Sequence, residues 1–408
     1  MAVASARLQA LARAASDELH NRIVPFWLAL EDKENGGHYS SMNFDGAINR
    51  SERKSAVFVA RLLWFLSEVH RVIGHPEAAA QAARTKRFLL DRLEDQVSGG
   101  LFWSVTPQGQ TLETEKHVYA QAFGIYALSA CARAFADAEA AAAAQRIFRL
   151  VVERAFGAHG FTESFDRSWR ETPNHRMSPV SHPAPRTMNT HLHALEALAL
   201  MARLDADPAP RAVLATLLRL VLDRFLSIDK THSHSFLTER LVPLPGPISY
   251  GHDIEACWLI EAAADALADP RIKVEARTAV ATLARATIAA GQMDDGSFIL
   301  ERQADGTLNS WRIWWVQAEA LVGIVNEAER SGVPGDWERA ERLWRYISAH
   351  MRDPAGDWYY RVGPTGAPDR TMPKVEPWKD PYHQARACLE LIERAQRRER
   401  GGNGQLAR

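Results

Sequence analysis

Apolar residues recur at three- and four-residue steps through twelve segments of this chain, at 5–29, 52–73, 76–93, 115–136, 137–155, 189–204, 209–226, 252–268, 271–290, 311–331, 335–350 and 381–397. That spacing lays one apolar stripe along an α-helix. Between pairs of segments the pattern breaks at a glycine beside an aromatic. The breaks are Gly36-Gly37-His38-Tyr39, Gly99-Gly100-Leu101-Phe102-Trp103, His159-Gly160-Phe161, Asp295-Gly296-Ser297-Phe298 and Gly356-Asp357-Trp358-Tyr359, with a degenerate His232-Ser233-His234-Ser235-Phe236 in the remaining gap. They recur about every 60–70 residues, a period that marks a repeat architecture. Six helix pairs joined by hairpins predict an all-α fold, an (α/α)6 barrel of twelve helices with short β-hairpins at one end. An open solenoid uses similar pairs, but six is a closing number, and aromatic glycine turns suit short strands better than the polar turns of solenoids. No linker interrupts the pattern, so a single domain is expected over 1–396, with a frayed tail over 397–408.

Composition narrows the function more than the fold. The 49 basic and 50 acidic side chains nearly cancel, which leaves no electrostatic case for nucleic acid or an anionic membrane. Cys131, Cys257 and Cys388 have no metal or redox spacing. No apolar run approaches the ~20 residues of a membrane span, and the first helix carries Glu18 and lacks the continuous apolar core of a cleavable leader. A cytoplasmic protein, monomer or homodimer, is expected.

Candidate chemistry gathers where the even-numbered helices begin. Asn189-Thr190-His191-Leu192-His193 opens the sixth, Gly251-His252-Asp253-Ile254-Glu255 the eighth, and Pro377-Trp378-Lys379-Asp380-Pro381-Tyr382-His383 the twelfth. Arg61 and Trp64 lie on the second, Lys116, Tyr119 and Gln121 on the fourth, and Trp314, Trp315, Gln317 and Glu319 on the tenth. In a closed barrel alternate helices form the inner ring, so these residues are expected to converge on one cavity. Taken singly, each has a plainer reading. A histidine on an apolar helix is more often core, Asn189 and Asp253 are placed to cap helices, and a Trp pair usually packs.

The spacing also discriminates between chemistries. Residues two apart on a helix point about 200° away from each other, so His191 and His193 cannot share an ion, and no HExxH or Cys/His cluster occurs. The expectation is therefore no metal and no cofactor. Asp253 and Glu255 diverge in the same way, which argues against a glycosidase carboxylate pair. The pocket reads richer in imidazole than in acid. Proton abstraction beside a carbonyl fits better, with His252 and His383 as acid/base groups and Arg61 as the cation for an enediolate.

Several stretches carry a resemblance to a known family. Ala60-Arg61-Leu62-Leu63-Trp64-Phe65-Leu66-Ser67, Tyr119-Ala120-Gln121-Ala122-Phe123, Asn189–His193, Ser249-Tyr250-Gly251-His252-Asp253-Ile254-Glu255-Ala256, Trp314-Trp315-Val316-Gln317-Ala318-Glu319, and Glu376–Lys379 with Pro381-Tyr382-His383 resemble the N-acylglucosamine 2-epimerase superfamily, and within it the cellobiose 2-epimerase branch. The resemblance spans about residues 35–390. It implies a cofactor-independent sugar 2-epimerase acting on a reducing-end aldose. His252 and His383 would be the acid/base pair, and His193 would assist at C1. Arg61, Tyr119, Asn189 and Glu255 would hold the sugar, Trp315 and Trp378 would wall the pocket, and Glu319 would orient a histidine. Asp380 stands where that pattern has a small residue or Cys, Gln384 where it has Asn, and His38 where it has an aromatic.

The aromatic set Trp103, Trp169, Trp315 and Trp378 predicts a mouth wide enough for a 4-linked disaccharide such as cellobiose or lactose. The proline-rich loop 166–187, with Trp169, His175 and His182, is expected to cap it. A free-monosaccharide mannose 2-epimerase or mannose isomerase remains open, as does a non-catalytic carbohydrate- or peptide-binding barrel.

Overall fold

The protein is represented by a computed structural model that describes residues 2–178, 183–204 and 206–406. Among them lie twelve helical segments: α1 (2–28), α2 (Ala56–Ile73), α3 (76–93), α4 (Val118–Phe135), α5 (Ala138–Ala155), α6 (Met188–Leu204), α7 (208–225), α8 (Tyr250–Leu267), α9 (Pro270–Gly291), α10 (Trp314–Ser331), α11 (334–351) and α12 (Tyr382–Leu406). A single π turn lies within α1 and closes α3, α7 and α11.

Each junction has a local cause. Helices α2, α4, α8 and α10 end at a left-handed residue, Gly74, Ala136, Ala268 or Gly332, the backbone state that stops a helix. Four of the odd-numbered helices, α3, α7, α9 and α11, then open on Pro76, Pro208, Pro270 and Pro334, where proline's fixed φ and missing N–H cost nothing. These turns are short, so the long connections all fall at the other end of the barrel.

Helices α2, α4, α6, α8, α10 and α12 pack each against the next, and α12 packs back against α2. The ring is closed, with α1, α3, α5, α7, α9 and α11 around it. Between the rings runs a continuous apolar core that includes Trp27, Phe58, Phe65, Phe123, Phe225 and Trp337, and burying each such side chain contributes about 1.5–3 kcal/mol. No helix among the described residues is long and apolar enough to cross a membrane. Of the expected tail 397–408, residues 397–406 continue helix α12, and 407–408 lie outside the described residues. Arg394 and Arg398 on this helix pair with Glu329 at 2.7 and 3.0 Å.

Three of the even helices, α2, α4 and α10, start later than the periodicity predicts, because the residues before them form short strands. Lys54–Ser55 pairs with Ser104–Val105, Lys116–His117 with Ser164–Phe165, Ile248–Ser249 with Glu301–Arg302, and Arg312–Ile313 with Arg361–Val362, while Arg186–Thr187 before α6 pairs with Phe236–Leu237. These pairs link neighbouring repeats around one rim. Side chains at the helix mouths then fasten each glycine turn. Gln121 and Gln317 each bond both backbone groups of one turn residue, Leu101 and Phe298 respectively. The His191 ring accepts from Phe161 N at 3.0 Å, and Asp253 accepts from Ser233 N at 2.9 Å. Three buried ion pairs, Lys54–Asp32, Lys116–Asp95 and Lys379–Asp357, staple turns at 2.7, 3.1 and 2.9 Å.

This fastening corrects several expectations. Lys116, Gln121 and Gln317 serve the rim and not the cavity. Asp253 does not cap α8, whose cap is Ser249, and Asn189 does not cap α6, where Thr187 Oγ1 accepts from Thr190 N. Trp64 sits midway along α2, packed on Tyr126 and Tyr382 beneath the cavity.

Candidate active site

The mouths of the inner helices enclose a cavity of about 480 Å³. Arg61, Tyr119, Asn189, His193, His252, Glu255, Trp315, Trp378 and His383 all line it, so nine of the ten expected site residues converge there. The tenth, Glu319, lies behind the wall and accepts from His383 Nδ1 at 2.8 Å. The loop 166–187 supplies Arg176, Met177 and Ser178 to the cavity, while His182 lies outside the described residues. Trp103 and Trp169 are not at the mouth. Trp103 packs behind Trp378 and under Arg176, and Trp169 is buried on Phe165 with its Nε1 donating to Ser98 O at 3.0 Å. A side pocket of about 180 Å³ opens between Trp103, Trp378, His175 and Arg176.

His252 and His383 both contact one indole. Trp315 lies 4.8 Å from the His252 ring and 5.6 Å from the His383 ring, centroid to centroid. Gly251 makes room for it, since a Cβ there would sit 2.5 Å from the Trp315 ring. The back nitrogen of each imidazole is engaged. His252 Nδ1 is 2.7 Å from Ser249 Oγ, His383 Nδ1 meets Glu319, and His193 Nδ1 is 3.1 Å from Glu196 Oε2. A second nitrogen held by a carboxylate fixes the ring's orientation and directs its free lone pair into the cavity.

Beneath the histidines lies a buried charge cluster, of which the sequence reading named Glu255 and Glu319 but missed Glu196 and Arg386. Arg386 bonds Glu196 at 2.5 Å and Glu319 at 2.7 Å, and also bonds Glu255 and the Tyr382 hydroxyl. Trp258 Nε1 donates to the other Glu319 oxygen at 3.2 Å. The floor is therefore rich in acid, contrary to expectation. The available signal was spacing: Glu196 follows His193, and Arg386 follows His383, by three residues on one helix face.

One cation cannot balance three carboxylates, and the proton affinities divide accordingly. Burial, with Glu319 alongside, pushes Glu255 up to about 7. Burial opposes ionisation of Glu196 too, but Arg386, His193 and Tyr382 together hold it at about 2. Burial and the His193 ring lower His252 to about 4. Burial, Arg61 and Arg386 keep His383 well below the ordinary histidine range. Both imidazoles that contact Trp315 are thus free bases near neutral pH. Burial also pushes the Tyr119 hydroxyl up to about 12, so it stays a donor.

On α2, the inner helix next to the one that carries His383, Arg61 donates to the Tyr119 hydroxyl at 2.8 Å and to Asp380 at 3.1 Å, with its guanidinium 4.2 Å from the Phe123 ring. Asn189 Oδ1 is buried without a partner, an acceptor left for a ligand hydroxyl. Glu255, Glu319 and His383 bring ligand atoms within 4.8 Å of one another, but Arg386 already bonds both carboxylates, so a guanidinium holds the place a cation would take.

The family model described as N-acylglucosamine 2-epimerase (GlcNAc 2-epimerase) matches residues 37–387. The chain belongs to the N-acylglucosamine 2-epimerase family. Within that family it is 34% identical over 380 residues to the cellobiose 2-epimerase of Bacteroides fragilis, covering 92% of this chain and 97% of that one. It is equally similar, at 34% over 380 residues, to the cellobiose 2-epimerase of Ruminococcus albus, again covering 92% and 97%. The solved cellobiose 2-epimerase of Bacillus thermoamylovorans superposes with a TM-score of 0.90 at 34% identity, covering 95% of this chain and all 100% of that one. A D-mannose isomerase structure shares the fold, with a TM-score of 0.82 at 18% identity over 94% of this chain and 97% of its own.

Proposed function

We propose that this protein is an isomerase that interconverts the glucose and mannose configurations at C2 of a reducing-end aldose, with cellobiose-type 4-linked disaccharides as substrates. The observation that carries the reading is the pair of neutral imidazoles that both contact Trp315, in a cavity where Arg61 presents a cation. In the open-chain sugar, C1 is an aldehyde and the C2 proton is acidic. One histidine takes that proton, the C2–H electron pair forms the C1–C2 double bond, and the C1 oxygen gains negative charge. Arg61 and the Tyr119 hydroxyl stabilise the resulting cis-enediolate. A proton then returns to the opposite face of C2, from the second histidine or after the intermediate rotates, and the aldehyde reforms. His193 assists at the C1 oxygen, Asn189 and Glu255 hold hydroxyls, and Trp315 and Trp378 stack against the pyranose faces. Glu319 orients His383.

The side pocket beside Trp378 supports a second sugar unit. We place the catalytic machinery in a single domain over 1–396, with no cofactor and no metal, working in the cytoplasm as a monomer or homodimer. The near-neutral charge and three buried free cysteines support that setting.

The test is product identification in D₂O with cellobiose, lactose, glucose and mannose. Product epimers should carry deuterium at C2, and His252→Ala and His383→Ala should each lose about 10²–10⁴-fold in rate while remaining folded. Ketose accumulating with deuterium at C1 would assign an isomerase of free sugars instead. A kcat/KM ratio of cellobiose to mannose well below one would move the substrate to monosaccharides.

A further inference from the structure

Asp380 is buried at the seam where the ring closes. Its Oδ2 accepts from Arg61 on α2, a residue 319 positions away, at 3.1 Å. Its Oδ1 accepts from the Tyr382 amide at 2.9 Å, at the start of the helix that carries His383 and Arg386. Its backbone carbonyl accepts from Gln384 Nε2 at 3.0 Å, and Gln384 is itself held by Asp357. Asp380 is 1% exposed and does not line the cavity. It touches the helix bearing one base and the cation on the adjoining helix, and lies outside the cavity lining.

Two consequences follow. First, Arg61 has a second partner in the Tyr119 hydroxyl, and its Nε is buried with none. The guanidinium plane is set by those two acceptors and by its stacking on Phe123 and Tyr382, at 4.2 and 4.8 Å. Releasing one acceptor frees the fork to turn. Second, Arg61 is a leading charge that depresses His383. A carboxylate on Arg61 offsets part of that field. The charged groups facing His383 are Arg61 and Asp380 from the seam, Arg386 on its own helix, Glu319 on α10, Glu255 and His252 on α8, and His193 on α6.

We infer that Asp380 is a positioning residue for the C2 epimerisation, fixing the Arg61 guanidinium against the enediolate and tempering its charge toward His383. The inference rests on the function proposed above. Because Arg61 acts on charge that develops only in the transition state, misplacing it lowers kcat more than it raises KM.

The experiment compares the full-length protein with Asp380→Asn and Asp380→Ser. The second keeps a short acceptor for the Tyr382 amide and serves if the first fails to fold. Wild-type incorporation of deuterium at C2 in D₂O is measured first, since its absence would refute the proposed function and not this role. With that in hand, folded variants should lose at least about tenfold in kcat with KM within about threefold. The acid limb of the kcat/KM profile should move to lower pH by about half a unit, as the unscreened Arg61 depresses His383 further. In an Arg61→Gln background, Asp380→Asn should cause no further loss, because its effect passes through Arg61. Wild-type kcat with an unmoved acid limb would overturn the inference. So would an additive loss in the Arg61→Gln background, or failure of both variants to fold, which would make the pair structural only.

Discussion

Replacing Glu319 with Gln changes one atom and leaves the shape of the floor intact, yet the hydrogen-bond geometry predicts a large effect. Glu319 receives three donors. Oε1 takes His383 Nδ1 at 2.8 Å and Arg386 at 2.7 Å, and Oε2 takes Trp258 Nε1 at 3.2 Å. A glutamine has one oxygen and one NH₂ group. If the oxygen faces His383 and Arg386, the NH₂ points at the Trp258 N–H. If it is flipped, the NH₂ confronts both other donors. An unsatisfied buried donor costs about 1–3 kcal/mol, which sets the expected loss of unfolding free energy. The better orientation still replaces a charged acceptor behind the His383 base with a neutral one. Hydrogen bonds to charged groups are worth about 1.5–3 kcal/mol against about 1 for neutral pairs. The imidazolium that forms on proton abstraction therefore loses about 0.5–2 kcal/mol, which is about 2–30-fold in kcat. Misorientation of the ring adds to this. The assay is kcat for C2 epimerisation alongside urea unfolding of the same preparations. A Glu319→Gln enzyme with wild-type kcat and wild-type stability would refute the donor count and the orienting role together.

Gly251→Ala should bring a methyl group against the indole that both histidines contact, where a Cβ would lie 2.5 Å from the ring. The expected outcome is a loss of kcat of about tenfold or more with intrinsic Trp fluorescence shifted, and an unchanged rate would show that Trp315 does not space the bases. His38 is 1% exposed, its Nε2 lies 3.1 Å from Gln81 Oε1, and burial holds it at about 4. An unfolded histidine binds a proton below about 6.5, whereas the folded His38 resists until about 4. Its contribution is thus fully present above 6.5 and is lost as pH falls toward 4, up to about 3 kcal/mol. His38→Phe should flatten urea stability between pH 7 and 4.5, and an equally steep dependence would remove His38 from the account. Activity should survive exhaustive EDTA treatment, because Arg386 bonds the carboxylates a cation would need, and loss restored by one divalent metal would defeat this reading.

The period of the glycine breaks and the placement of histidines on even helices suffice to bring Arg61, His193, His252 and His383 into one cavity, because closure of a repeat ring dictates which helices face inward. Polarity at a helix mouth does not say which way a side chain points. Gln121 and Lys116 stand within a turn of Tyr119, yet they face the rim, where unpaired turn amides and Asp95 claim them. Glu196 and Arg386 escaped notice for the opposite reason. A single charge in a long apolar helix reads as a surface residue, and only three-dimensional closure shows that each is satisfied by a charge from another repeat. The three departures from the family pattern have structural places: His38 beside Gln81, Gln384 on Asp357, and Asp380 on Arg61.

The rim fastenings have a consequence for the order in which this chain can assemble. Each grip is local: Gln121 to Leu101, His191 to Phe161, Asp253 to Ser233 and Gln317 to Phe298 span 19 to 30 residues. A helix pair and its turn can therefore be secured as soon as one repeat has formed, at low loop-closure cost. The Arg61–Asp380 bond spans 319 residues and waits for the last helix to meet the second. A refolding chain should regain its circular dichroism before it regains turnover, and the lag between them times the closing of the ring.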